Sequence, residues 1–278
     1  MRGTLAAAEM MEPYAGENGT NWFDMNTFET EIGKSRIRYH DIQGSGSPLI
    51  FIHGLGCASS CDYPRVASAP ALLGRRMLLV DLLGSGFSDR PAGFGYTVED
   101  HARIVAALAR HLSFGSLDLF GHSMGGAVAI VAAGLLRDRV QHLVLGEPNL
   151  DTGGGVGSRR IAAMTEAEYV ARGHGDLVRA SWSEGNGIWA ASLSISSPQA
   201  VHRGATSLIA GSKPTWREQL YALPMPKAVI CGEASLPHSD TERLPRAGVN
   251  VDVVPAAGHA MAWENPSGLA LALQRALA

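Results

Sequence analysis

Four stretches of the chain follow one plan, a short apolar run that stops at a polar residue and glycine. They are "LIFIHGLG" from Leu49, "RRMLLVDLLGSG" from Arg75, "LDLFGHSMGG" from Leu117 and "VQHLVLGEPNL" from Val140. Runs this short, bounded by glycine, read as strands of a sheet covered on both faces. Between them, "VEDHARIVAALARHL" places Val98, Ala102, Val105, Leu108, Ala109 and Leu112 at helical spacing, and "AVAIVAAGLL" is a second helix of small residues. Strand, turn and helix alternate, which predicts an α/β fold: a mostly parallel, doubly wound sheet. Phe28 to Gly33 and Ser35 to Ile42 read as a hairpin at one edge, and "QGSGSP" as the turn that follows. From Asp151 to Leu223 no strong strand is found, and helical patterns mix with Gly and Trp. "MPKAVICGEA" and "GVNVDVVPAAGH" restore strands, and "PSGLALALQRAL" closes the chain as a helix.

The expected organisation is therefore a core of residues 27–150 and 224–278, with a helical insertion, 151–223, after the sixth strand. Residues 1–26 read as a loosely ordered leader. Acids and Pro13 interrupt anything like a signal sequence, and no apolar run approaches the roughly 20 residues of a membrane helix. The expectation is a cytoplasmic protein, monomer or homodimer, without a membrane partner. With 23 basic and 26 acidic residues, there is no electrostatic reason to expect nucleic acid. Three cysteines, an odd number, argue against a disulfide framework, and Cys57 and Cys61 lack a second pair to complete a metal site.

Ligands of open parallel sheets bind beyond the carboxyl ends of the strands. There the chain carries His53, Asp81, Ser123, Glu147, Glu233 and His259. Gly121-His122-Ser123-Met124-Gly125 is the chain's single G-x-S-x-G, and it stands between strand and helix, the setting a nucleophile elbow requires. Side chains at 121 or 125 would collide with neighbouring elements. The amides of Met124 and of Leu55, in "FIHGLG", are the expected oxyanion donors. His259 in "AAGHAMAWENP" is the expected base, needed because a serine hydroxyl is scarcely ionised at neutral pH. His53 and Asp81 read as structural, and His122 as the variable position of the elbow.

"HGLG", "DLLGSGFSDRP", "GHSMGG" and "GHAMAWENP" together resemble the α/β-hydrolases of the serine type, over nearly all of Phe28 to Leu277. The resemblance implies that 151–223 is a helical cap. "DLLGSGFSDRP" is similar to the branch of haloalkane dehalogenases and epoxide hydrolases, but those use an aspartate nucleophile where this chain has Ser123. Most relatives place the triad acid after the seventh strand in G-x-x-D. Here that stretch is Gly232-Glu233-Ala234-Ser235, without the aspartate. Branches with the acid after the sixth strand, among them the zearalenone lactonase and certain haloalkane dehalogenases, imply Glu147. Glu233 is the runner-up, followed by Asp240 and Asp252. The resemblance implies a hydrolase of a small carboxylic ester or lactone that needs no cofactor or metal. A carbon–carbon bond hydrolase, a cofactor-free perhydrolase or oxygenase, and a ligand receptor derived from a hydrolase remain open. In the cap, Trp182, Ile188, Trp189 and Trp216 are the candidates to line an apolar pocket.

Overall fold

A computed structural model describes residues 25–278. The expected leader lies outside the described residues, apart from its last two positions. The apolar runs become strands: β1 (Asn26–Glu29), β2 (Arg36–Ile42), β3 (Ser45–Ile52), β4 (Arg75–Asp81), β5 (Leu117–His122), β6 (Val140–Gly146), β7 (Lys227–Gly232) and β8 (Asn250–Val254). They form one sheet in the order β1-β2-β4-β3-β5-β6-β7-β8. β1, β2 and β4 pair antiparallel, and every pairing from β4 to β8 is parallel. The chain reverses direction of winding at β3, which has β4 on one side and β5 on the other. Such a switch point opens a crevice at the carboxyl ends of the two strands. Ile52 of β3 pairs with Gly121 of β5, so the loop after Ile52 lies beside Ser123.

Alternation along the strands divides the core. Ile50, Ile52, Leu78 and Val80 face the helices Val98–His111 and Met124–Leu136. Leu49, Phe51, Met77 and Leu79 face the opposite layer, which includes the helix Pro266–Ala276. The helix Val98–His111 starts where its sequence provides a capping box. The Asp100 amide donates to Thr97 Oγ1 (3.0 Å), and the Thr97 amide donates back to Asp100 Oδ2 (3.3 Å).

Two boundaries differ from expectation. β1 is earlier and shorter than the predicted Phe28–Gly33 strand, because Gly33 and Lys34 take positive φ (58° and 54°) and close the hairpin turn. The "QGSGSP" stretch is not wholly a turn. Ser45 already pairs with Arg75, and the register slips before Leu49. A Cβ at Gly44 would enter the backbone of Arg75, so only glycine permits that approach.

Between β6 and β7 the described residues are helical: Val156–Ala162, Glu166–Ser183 with a wider π turn at Tyr169–Gly173, Gly187–Ser194, Pro198–Ala210 and Trp216–Ala222. Ile161, Tyr169, Leu177, Leu193, Val201 and Ala205 give this stretch a small core of its own. Trp216 and Leu220 join the main core instead. Arg217 ties the ends of the stretch to the sheet, pairing with Asp151 after β6 (2.6 Å) and Asp240 after β7 (2.8 Å). Among the described residues, no helix is long and apolar enough to cross a membrane.

The tightest packing is at the turn after β5. A side chain at Gly125 would meet the carbonyl oxygens of Ile52 and His53, and one at Gly121 the carbonyl of Gly125. These are backbone atoms at the centre of the sheet and cannot yield. Gly125→Ala is expected to destabilise the protein by about 1–3 kcal/mol or more, the range for forced overpacking. Thermal melting should show a fall of at least several degrees; an unchanged melting temperature would contradict this packing.

Candidate functional site

Ser123 sits in a backbone conformation that few residues adopt, φ 55° and ψ −118°. Neighbouring strands hold it there. Its amide donates to the Gly146 carbonyl (2.9 Å), and its carbonyl accepts from the amides of Gly126 (2.9 Å) and Asn149 (3.2 Å). Strain of this kind persists only where the surroundings over-determine it. The turn brings Ser123 to the cavity wall and starts the helix at Met124, whose first amides have no partner within the helix.

Leu55 is on the same wall, and Met124 lies behind it. Their side chains converge beneath the helix Pro198–Ala210, where a Cβ on Gly204 would stand 2.9 Å from Leu55 Cδ1 and 3.3 Å from Met124 Sδ. The Leu55 carbonyl accepts from Trp189 Nε1 (3.0 Å), which anchors this loop to the helical insertion. His53 shapes the loop from below. The Leu82 amide donates to its Nε2 (3.0 Å), so Nδ1 carries the proton and donates to the Gly54 carbonyl (2.8 Å). Asp81, fully buried, accepts from the Ser60 amide (2.9 Å), the Ser60 hydroxyl (2.8 Å) and the Phe87 amide (3.0 Å), joining two loops.

At the other side, His259 Nδ1 donates to Glu147 Oε2 (2.6 Å). Glu147 Oε1 accepts from the Gly232 amide (2.9 Å). The Glu147 backbone is itself in the left-handed region (φ 39°), and Pro148 behind it packs on Gly126. Burial opposes charge on this carboxyl, but His259, the Ser235 hydroxyl and the Gly232 amide outweigh it and bring its pKa down to about 2. It is therefore an anion at any ordinary pH. With the proton of Nδ1 so engaged, Nε2 of His259 is left as the acceptor. Among the described residues no hydrogen bond joins Ser123 Oγ to His259.

The competing acids are occupied elsewhere. Glu233 accepts from the Ala256 amide (2.9 Å), Asp240 is held by Arg217, and Asp252 accepts from Arg275 (2.8 Å). Ser235, which stands where most relatives carry aspartate, instead lies beside Glu147.

His122 is the residue whose part the sequence did not disclose. Its Nε2 donates to the His259 carbonyl (2.8 Å), and its ring lies 4.6 Å from the His259 ring. Burial first, then the neighbouring His259, pushes it down to about 3, so it stays a neutral donor. It ties the turn of Ser123 to the loop of His259. No pattern in "GHSMGG" signals a bond to a loop more than a hundred residues away.

Ser123, Glu147 and His259 line one cavity of about 860 Å³. Ile188 and Trp189 are on its wall. Trp182 and Trp216 are not. Trp216 is fully buried in the main core under its helix, and Trp182 is 58% exposed, with its ring against Gly187. Both are corrections to the sequence reading, because helical periodicity shows which face is apolar and not what that face covers. Asp62 and Tyr63, which follow the "HGLG" loop, line the cavity without having been expected there. Among the described residues no group of three His, Cys, Asp or Glu side chains is placed to hold a metal ion.

The profile of the alpha/beta hydrolase fold family matches residues 47–162. Over 128 residues the chain is 34% identical to haloalkane dehalogenase 2 of Mycobacterium tuberculosis, covering 46% of this chain and 41% of that protein. It is 32% identical over 128 residues to the 2-hydroxy-6-oxo-2,4-heptadienoate hydrolase of Pseudomonas putida, covering 44% of this chain and 46% of that protein. The chain thus spans less than half the length of these curated relatives. An esterase structure from Exiguobacterium antarcticum aligns with a TM-score of 0.76 at 20% identity, over 91% of this chain and 99% of that one. The structural likeness, the strand order and the strained serine turn between β5 and its helix agree that this chain has the α/β-hydrolase fold.

Proposed function

We propose that this chain is a serine hydrolase of neutral carboxylic esters or lactones. One observation carries the reading: Ser123, on its strained turn, shares a cavity with a His259–Glu147 pair joined at 2.6 Å. In this reading Ser123 Oγ attacks the carbonyl carbon while His259 Nε2 takes its proton. The amides of Leu55 and Met124 hold the oxyanion. His259 returns the proton to the leaving alcohol, then activates water to release the acyl group. Glu147 keeps the imidazole in the required tautomer and stabilises its charged form. Contacts between nucleophile and base are often long in unliganded enzymes and tighten with substrate.

The cavity wall favours a neutral substrate. Among the described residues that line it there is no Lys or Arg. The 2-hydroxy-6-oxo-2,4-heptadienoate named for the Pseudomonas relative is an anion, and this wall offers no Lys or Arg to receive its carboxylate. Carbon–carbon bond hydrolysis of such a compound is therefore the weaker reading. Dehalogenation is weaker still, since the aspartate nucleophile of that branch is replaced by Ser123. A receptor that binds without turnover has the same cavity, and a panel of p-nitrophenyl esters separates it from an enzyme.

Ser123→Ala is expected to fold normally and to lose at least about a thousandfold in kcat on any ester the protein turns over. Turnover near the wild-type rate in this variant would end the serine-hydrolase reading. Glu147→Gln keeps size but removes charge, and should lose roughly 10²–10⁴ in kcat, whereas Glu233→Gln should lose less than about tenfold. The reverse ranking would place the acid after β7.

Glu147 also makes a stability prediction. Its carboxyl titrates near 4.5 when unfolded and near 2 when folded. The folded state thus binds fewer protons between those values, so this contribution is complete above about pH 4.5 and is lost as pH falls toward 2. Melting temperatures of the wild type and Glu147→Gln should differ most at pH 5–7 and converge on acidification. A difference that grew as the pH fell would mean that the carboxyl is not held as an anion.

A further inference from the structure

His259 stands on an exposed loop, and one bond to Glu147 does not by itself fix a ring. Its side chain is 58% exposed, and the Nδ1 contact with Glu147 leaves the imidazole free to turn about that point. A group that must meet a hydroxyl along one line needs its main chain held as well. Two bonds hold the loop just before it. The Ala234 amide donates to the Ala257 carbonyl (2.9 Å), and the Gly258 amide donates to Glu264 Oε2 (2.7 Å). The carbonyl of His259 itself has one hydrogen-bond partner among the described residues, Nε2 of His122 at 2.8 Å.

The ring of His122 is lodged where two strand ends leave room for it. A Cβ on Gly146, the last residue of β6, would stand 3.2 Å from His122 Cδ2 and as near to the ring of Phe120. A Cβ on Gly54, just after β3, would stand 3.4 Å from His122 Nδ1. Side chains at 54 and 146 would therefore close on the ring from two directions. The glycine in front of Glu147 thus has a reason beyond the strand it ends. His122 stands against a neighbour of each element of the site: Gly54 precedes Leu55, Gly146 precedes Glu147, Ser123 follows it in the chain, and His259 takes its proton bond. Because it stays neutral, its one N–H is at Nε2 and is engaged by that carbonyl.

We propose that His122 is a positioning residue for His259: it fixes the main chain of that loop against the ends of β3 and β6, and so the line along which His259 Nε2 meets Ser123. The proposal rests on the reading of this site as a serine hydrolase. It gives the second position of the G-x-S-x-G motif a part in the reaction that is exerted through His259. A displacement of about 1 Å in a reacting group can cost about a hundredfold in rate.

Three variants separate the N–H from the packing. Glutamine carries its amide nitrogen about where histidine has Nε2, asparagine about where it has Nδ1, and phenylalanine keeps a ring without a donor. His122→Phe and His122→Asn are expected to lose about 10- to 100-fold in kcat with KM within about threefold, whereas His122→Gln should keep kcat within about fivefold. A kcat that follows the melting temperature across the three, or that is alike in His122→Asn and His122→Gln, would overturn the proposal. Should His122→Asn fail to fold, the comparison of His122→Phe with His122→Gln carries the same test. Proton NMR gives a readout without turnover. The Nδ1 proton that His259 shares with Glu147 at 2.6 Å should resonate far downfield and vanish in Glu147→Gln, which assigns it. In His122→Phe and His122→Asn this signal should broaden by exchange with water at temperatures where it stays sharp in the wild type and in His122→Gln. A signal unchanged in all three, or absent from the wild type, overturns the positioning and leaves the hydrolase reading to stand or fall on ester turnover. A signal that broadens as expected in a protein that hydrolyses no ester keeps the tether and sinks the hydrolase reading.

Discussion

The backbone of Ser123 is held away from its preferred conformations by two strands and a loop at once, and the site is assembled around that constraint. β3 presses its last carbonyls against Gly125, β6 takes the Ser123 amide on the carbonyl of Gly146, and the chain after β6 returns the Asn149 amide to the Ser123 carbonyl. None of these contacts involves the serine side chain, so its hydroxyl is free for chemistry. The same closeness explains why small residues gather there. Pro148 can reach the start of the helix because residue 126 is glycine. Pro148 in turn follows Glu147, so packing at the serine turn also aims the carboxylate.

From that point the electrostatics follow. Glu147 is a carboxylate withdrawn from water, which by itself would favour the neutral acid. Three donors reverse the balance, one from the imidazole, one from the backbone of β7 and one from the hydroxyl of Ser235. The end of β7 and the loop after it thus support a carboxylate that follows β6. His122 completes the frame by holding the carbonyl of His259, so His259 is fixed through its ring and its main chain. The neutral state of His122 matters, because an imidazolium in its place would oppose positive charge on the His259 ring.

The helical stretch between β6 and β7 has a double allegiance. Its middle helices bury their own small core, while the helix of Trp216 belongs to the core of the sheet. Arg217, one residue on, clamps Asp151 and Asp240 and so fixes where the stretch leaves and rejoins the strands. Trp189 then reaches across to the loop of Leu55. Any motion of these helices is thus coupled to the loop expected to receive the oxyanion.

Much of this was legible in the residues themselves. The four repeated runs specify a parallel sheet because a strand buried on both faces needs continuous apolar residues, and glycine must follow where backbones meet. The same local chemistry marks Ser123 and His259 as candidates, while Glu147 came from the resemblance to branches with the acid after the sixth strand. Edges were harder to read, as β1 and β3 show, because a turn or bulge depends on whether glycine is needed for approach to a distant backbone such as Arg75. Wall and core could not be told apart for Trp182, Ile188, Trp189 and Trp216, since each lies on a helix whose apolar face could cover either. Nor could His122, Asp62 and Tyr63 be found, because the groups they bond to or pack on are remote in the chain. Periodicity and local sterics act within a few residues and are written in the sequence; hydrogen-bond partners across the sheet exist only once the strands have brought their ends together.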